Sequence, residues 1–132
     1  MVKGGIAVAA GAFALAACST PASLYQPAAE SGVALQGPIA SAPGHALRSR
    51  DLSLPAGAEV PRHYHAGEEF VYVITGSVTL RRKGEPDLLM NAGDGLRIAP
   101  GTVHSAVAGP NGFRAIATYV LIEGEPERVP AP

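Results

Sequence analysis

Only one of the 132 residues is a cysteine, so no disulfide can form within the chain even in an oxidising compartment. Stability has to come from an apolar core and from any ion the chain holds. Charge is also scarce. Setting aside the first 17 residues removes Lys3 and leaves 9 basic and 11 acidic residues, a formal charge of −2. That balance excludes the basic surface on which nucleic-acid binding depends, so no nucleic-acid partner is expected. A glycine-rich phosphate loop is absent, and no helical stripe recurs beyond the N-terminal apolar run. That run, Gly4 to Ala17, is shorter than the ~20 residues a bilayer crossing needs. The chain is long enough for one domain.

What stands at the N-terminus is one positive charge at Lys3, the uncharged run, and the small residues Ala16 and Ala17 before Cys18. This order is that of a secretion signal, residues 1–17. Leu15-Ala16-Ala17-Cys18 resembles the lipobox of bacterial lipoprotein precursors. The resemblance implies that Cys18 carries lipid and becomes the first residue of the exported chain. Ser19 after it implies the periplasmic face of the outer membrane. From Cys18 the composition turns to Ala, Ser, Pro, Gly and Gln, with Glu30 the only charge before Pro43. Residues 18–45 therefore read as a flexible tether, long enough to span roughly 25 to 30 Å on average. His45, near its end, is expected to be an exposed linker histidine rather than an additional ligand.

From residue 46 to 122 short apolar runs alternate with turn residues, the pattern of an all-β domain, and 123–132 read as a C-terminal tail. Strands are expected near 46–54, 60–65, 69–75, 77–83, 87–91, 95–98, 103–107 and 113–122. Gly84-Glu85-Pro86 and Gly109-Pro110-Asn111-Gly112 supply turn chemistry between them. The topology should be antiparallel and rich in hairpins. Phe70 to Ile74 is apolar at every position, so both faces of that strand should be buried, against another sheet, the N-terminal segment or a second copy of the chain. The run Arg81-Arg82-Lys83 reads as a solvated hairpin end that blocks unwanted strand pairing.

Chemistry is concentrated in His63, His65, Glu69 and His104. Alternate side chains leave the same face of a strand, so His63 and His65 project together while Tyr64 points away. Glu69 can swing back from the next strand, and His104 must arrive from a distant hairpin. Three neutral imidazoles and one carboxylate suit a divalent ion of iron, manganese, nickel, copper or zinc, and leave coordination positions open for water or substrate. Glu69 has two candidate roles, permanent ligand or dissociating general base. Tyr64, Tyr72, Arg97, Arg114 and Tyr119 are the polar or aromatic strand residues that could reach a substrate. Val71, Val73, Leu80, Leu89, Ile98, Val107, Ile116 and Val120 are expected to line an apolar pocket for a small organic molecule.

The glycines around these ligands place them in a recognisable frame. Gly57, His63, His65, Glu69 and Gly76 match every fixed position of G-x5-H-x-H-x3-E-x6-G, the first motif of the cupin family, which this chain resembles over residues 47–122. Its second motif, G-x5-P-x-G-x2-H-x3-N, is met at Gly93, Gly101 and His104, with Ala99 in place of Pro and Ala108 in place of Asn. Neither departure removes a ligand, and Pro100 can still stiffen the turn. The resemblance implies a single-domain double-stranded β-helix, or jelly-roll barrel, with the four residues as metal ligands inside it. The family includes dioxygenases, isomerases, decarboxylases, storage proteins and sugar-binding domains. Taken with the N-terminal signal, the expectation is a metal-dependent envelope lipoprotein, first a dioxygenase-like oxidoreductase or a metal-assisted isomerase or hydrolase acting on a small organic substrate. The other class is a non-catalytic module that binds metal and a small molecule or carbohydrate. A shared fold does not choose between them.

Overall fold

The structure is a computed structural model that describes residues 32–132, so the signal segment, Cys18 and the first part of the tether lie outside the described residues. Every regular element is a strand: β1 (Gly32–Pro38), β2 (His45–Leu54), β3 (Glu59–Tyr64), β4 (Glu69–Arg82), β5 (Leu88–Asn91), β6 (Gly95–Ile98), β7 (His104–Ile122) and β8 (Val129–Pro130). All pairings are antiparallel, as the alternating pattern predicts.

Strand β7 organises the fold. Its C-terminal half pairs with β2, from Leu54 opposite Phe113 to His45 opposite Ile122, and its N-terminal half pairs with β3. Along both halves it also pairs with β4, so the two longest strands run together through both layers of the jelly roll. Between Gly76 opposite Phe113 and Val78 opposite Ala108, β7 advances five residues while β4 advances two. That excess forms a bulge, and there the paired strands bend from one layer to the other. The segment Gly109–Gly112, expected as a turn, is therefore a bulged part of one strand, and the expected break between 75 and 77 is likewise continuous.

Gly76 makes the close approach feasible. Its φ is +73°, and a Cβ there would lie 2.0 Å from the Gly112 carbonyl oxygen. No other residue type fits both conditions.

The core comprises Val73, Val78, Met90, Ala108, Phe113 and Ala115. On β7 the residues Phe113, Ala115, Ala117 and Tyr119 are buried, and each large apolar side chain withdrawn from water in this way stabilises the fold by roughly 1.5–3 kcal/mol. Ala115 and Ala117 have no exposure at all.

Two sequence expectations need correction and a third is narrowed. Residues 32–38 are not tether but strand β1, paired with β2 from Gly32 opposite Asp51 to Pro38 opposite Ala46. Its glycine, alanine and proline content hid it, because a strand laid on the edge of a sheet gains backbone hydrogen bonds without needing a buried apolar face. No other sheet among the described residues covers the outer face of β4, where Phe70 is 44 % and Tyr72 54 % exposed, so of the covers expected there the N-terminal segment or a second copy is left. Residues 123–132 are not a free tail either, since Tyr64 and His63 pair with Val129 and Pro130.

Candidate metal centre

His63 lies on β3, His65 one residue beyond its end, Glu69 opens β4 and His104 opens β7. Pairing of His63 with His104 across β3 and β7, and of Glu69 with Tyr119 across β4 and β7, draws the four together at one end of the barrel. All four are at most 6 % exposed, and one ligand atom from each lies within 4.8 Å of every other. The ring centroids of His63 and His104 are 4.2 Å apart, those of His63 and His65 4.8 Å.

The outward nitrogens decide how the inward ones are protonated. Nδ1 of His63 donates to the Pro61 carbonyl at 2.8 Å, Nδ1 of His104 to the Thr102 carbonyl at 2.9 Å, and Nδ1 of His65 to the Glu127 carbonyl. A carbonyl only accepts, so each Nδ1 carries the proton and each Nε2 presents a lone pair to the interior. Two of these acceptors sit two residues before the histidine they hold. The third comes from the C-terminal segment, 62 residues away.

Glu69 Oε2 lies 3.2 Å from Nε2 of His65 and 3.1 Å from Nε2 of His104. Nε2 of His65 and Oε2 of Glu69 are nevertheless buried without a hydrogen-bond partner. Lone pairs facing one another in a dry site need positive charge between them, either a proton shared by His65 and Glu69 or a metal ion that replaces it. Metal–ligand bonds of about 2.0–2.2 Å put neighbouring donors roughly 3 Å apart, which is the spacing of Glu69 Oε2 from the Nε2 atoms of His65 and His104. The residues fit a divalent transition ion, and the set of three imidazoles and one carboxylate does not select which one.

Electrostatics prepare His63 and Glu69 for a cation, while at His65 an ion must displace a proton. Burial, aided by the nearby charges of His104, Arg128 and His65 and opposed by the Pro61 carbonyl, pushes the His63 imidazole down to about 4. It is therefore neutral and ready to ligate near pH 7. Burial alone would raise the Glu69 carboxyl, but His104 and His65 outweigh it and hold the group at about 2. For His65, burial is outweighed by Glu69 and the Glu127 carbonyl, so its proton affinity is raised. Tyr119, its ring 4.8 Å from that of His65, has its phenol pushed far up by burial and by the charges of Glu69 and Glu127, and it stays protonated.

A cavity of about 460 Å³ opens on the four donors, within the ~300–1,000 Å³ range of small-molecule sites. Val71, Leu80 and Ile98 line it as expected, together with Leu52, Leu54, Val60, Val78, Met90, Ala106 and Phe113. Val73 instead belongs to the packed core and Leu89 is 59 % exposed. Ile116 and Val120 do not line the cavity, because the inward parity of β7 runs through the odd-numbered residues 113 to 119. Val107 lines a separate groove beside Arg81, Arg82 and Lys83.

Of the polar residues considered from sequence, Tyr119 reaches the site. Arg97 instead bonds Glu68 and Arg114 bonds Asp51. Tyr72 is on the open outer face, and Tyr64, as strand parity requires, does not line the cavity. His45 bonds the Pro43 carbonyl and is not among the four gathered donors.

Three residues escaped the sequence reading: Arg50, Glu127 and Arg128, all at the cavity wall. Arg48 and Arg50 both bind the Glu127 carboxylate, the second through Nε at 2.8 Å, and these guanidiniums keep that carboxyl below its ordinary value although burial would raise it. Arg128 Nη2 donates to the Pro61 carbonyl at 3.0 Å, the same oxygen that holds His63. Residues 127–130 thus strap β3 to the site, and no local pattern announces it. The sole hint was a charged pair, Glu127-Arg128, within an otherwise proline-rich end.

A family model, the cupin domain, matches residues 51–125. No curated protein matches the chain. Among solved structures, a cupin-like protein from Thermotoga maritima is 26% identical over 55% of this chain and 56% of that one, with a TM-score of 0.53. DMSP lyase DddQ from Ruegeria pomeroyi is 24% identical over 64% and 43%, at 0.59. A protein with a double-stranded β-helix domain from Klebsiella pneumoniae is 20% identical over 82% and 90%, at 0.58. The last two show the fold alone. This chain spans 56% and 43% of the lengths of the first two.

Proposed function

The chain belongs to the cupin domain family, and on that premise we propose that it is a metal-dependent oxidoreductase of the bacterial envelope, dioxygenase-like, acting on a small organic molecule. The observation that carries this reading is the set of buried, inward-facing lone pairs on His63, His65, Glu69 and His104 opening onto an apolar cavity. A structural ion would more often be sealed in a thiolate-rich cage, whereas this donor set leaves coordination positions open. When bound, the ion supplies a Lewis acid and, if it is iron, manganese or copper, a redox centre.

The protein's own residues do the rest. His63 and His104 are held by carbonyls of their own strand segments, and His65 by the strap. Leu54, Leu80 and Phe113 exclude water from the substrate's apolar part. Glu69 serves as ligand, or leaves the ion to accept a proton when substrate takes an open position, an exchange open to a carboxylate beside a metal. Tyr119 lines the cavity, its ring 4.8 Å from that of His65.

The second reading is a non-catalytic module binding a small molecule or carbohydrate, favoured because the one carboxylate among the four gathered donors, Glu69, is itself a ligand and no separate proton-shuttling partner is identified beside it. Lipid attachment at Cys18 places either form on the envelope, and a second copy covering Phe70 and Tyr72 is a natural partner.

Elemental analysis of the full chain purified from membranes, with oxygen uptake measured on phenolic and enolisable compounds, tests the enzyme. His63→Ala and His104→Ala should each abolish stoichiometric metal and any turnover while keeping a β-rich circular dichroism spectrum. Equal metal in wild type and variants refutes the metal centre. Full metal with no turnover across metals and substrates leaves the binding module. Cys18→Ala should release the protein from the membrane fraction, and retention there would refute the anchor.

A further inference from the structure

The cavity wall is apolar apart from the donors, Tyr119 and a few charged groups at its mouth, and those charges are unequal in what they have left to offer. Arg50 has its Nε and Nη2 on the Glu127 carboxylate at 2.8 and 3.2 Å. Glu127 in turn is taken by Arg48 and Arg50 together. Arg128 differs. Its bond is to the neutral Pro61 carbonyl, it is exposed, and among the described residues no carboxylate pairs with it. A guanidinium has five N–H donors in a planar fork suited to a carboxylate, so most of this fork stays available at the mouth. The strap fixes where the fork stands, because Val129 and Pro130 pair with β3 and Ala131 donates to the Arg62 carbonyl.

We propose that Arg128 is the specificity-determining residue of this cavity, and that the molecule admitted is a small monocarboxylate with an apolar body. Its carboxylate sits on the Arg128 guanidinium, its hydrocarbon lies against Leu54, Leu80 and Phe113, and its far end faces the four donors. Glu59, on the same wall and without an ion pair among the described residues, sets the charge limit. A single negative charge is matched by Arg128, while a second would meet Glu59. The inference deepens the metal-site reading and rests on it only for what the far end of the ligand meets.

The test is an NMR titration of the full chain with hexanoate, hexanamide and 1-hexanol, performed on zinc-loaded and metal-free protein. Zinc content is measured on the same samples. Hexanoate should bind at least tenfold more tightly than either neutral analogue in both forms. Arg128→Gln should erase that preference with zinc stoichiometry unchanged, and Arg128→Lys should restore part of it. Failure of hexanoate to bind, or equal binding of hexanoate and hexanamide, overturns the proposal. A preference that survives Arg128→Gln and vanishes on zinc removal also overturns it, since the anion would then sit on the metal. A chain that takes up no zinc but keeps the Arg128-dependent preference sinks the metal reading and sustains this one.

Discussion

Ending the chain after Gly124 should weaken metal binding by roughly 10- to 100-fold without unfolding the barrel. The deletion removes the carbonyl of Glu127, the acceptor that fixes His65 with Nε2 inward, while the acceptors of His63 and His104 stay because they lie on Pro61 and Thr102. Loss of one such outer partner of a ligating histidine costs about 10- to 100-fold in metal affinity, or about 1.4 to 2.7 kcal/mol. A second effect has the same sign. Glu127 neutralises Arg48 and Arg50, and without it two guanidinium charges stand unbalanced near a cation site. Glu127→Ala is the graded version, because it keeps the backbone carbonyl and removes only its anchors. Half-buried charged hydrogen bonds of this kind contribute about 1–2 kcal/mol in all, so the strap should open more often and metal affinity should fall by less than on deletion. Chelator competition with cobalt gives the affinity, and the cobalt absorption spectrum reports the number of nitrogen ligands. Circular dichroism guards against unfolding. A truncated, folded chain that holds cobalt within twofold of the full chain, with an unchanged spectrum, would refute the role assigned to the strap.

Other expectations concern stability and association. The Asp51 carboxylate is 6 % exposed and receives Nε and Nη2 of Arg114 at 2.9 and 2.6 Å, which hold its pKa below the ordinary value despite burial. Its contribution is therefore complete above about pH 4 and is lost as the pH falls through the lower folded-state pKa; Asp51→Asn should cost about 2 kcal/mol at pH 7 in urea unfolding and flatten the acid limb of the stability profile. An unchanged acid limb would count against this pair. Gly76→Ala should cost more than about 3 kcal/mol, because a Cβ 2.0 Å from the Gly112 oxygen and a φ of +73° must both be accommodated; a urea midpoint near that of the wild type would show that the β4–β7 crossing is not so tight. Analytical ultracentrifugation of the chain without its first 17 residues and with Cys18→Ala should reveal a dimer at micromolar concentration that Phe70→Glu dissociates. A lone monomer would mean that the outer face of β4 is simply wet.

Some of this protein is written locally. The alternation along 63–65 depends only on the period of a strand, so the shared face of His63 and His65 could be read before any fold was known. The glycines framing them are likewise local statements: Gly57, Gly76, Gly93 and Gly101 all take positive φ, and spacing between such points sets where strands end. That is why the all-β class, most of the strands and the four gathered donors followed from sequence.

Other features are decided by partners remote in the chain. Strand β1 looks like a linker because its stability lies in hydrogen bonds to β2, and hydrogen-bond partners leave no mark on composition. The inward parity of β7 on Ala115, Ala117 and Tyr119 was obscured because small and polar side chains face inward while Ile116 and Val120 share the other face with Arg114 and Thr118. Glu127 and Arg128 matter because the chain end returns to β3, placing a backbone carbonyl on His65 and a guanidinium at the cavity mouth. A carbonyl is common to every residue, so its service as an acceptor has no sequence signature. Residue types alone determined which donors this protein owns, and His63 and His104 are oriented by carbonyls two residues away; only tertiary structure decided that the lone pair of His65 faces inward with theirs, because its acceptor lies 62 residues along the chain.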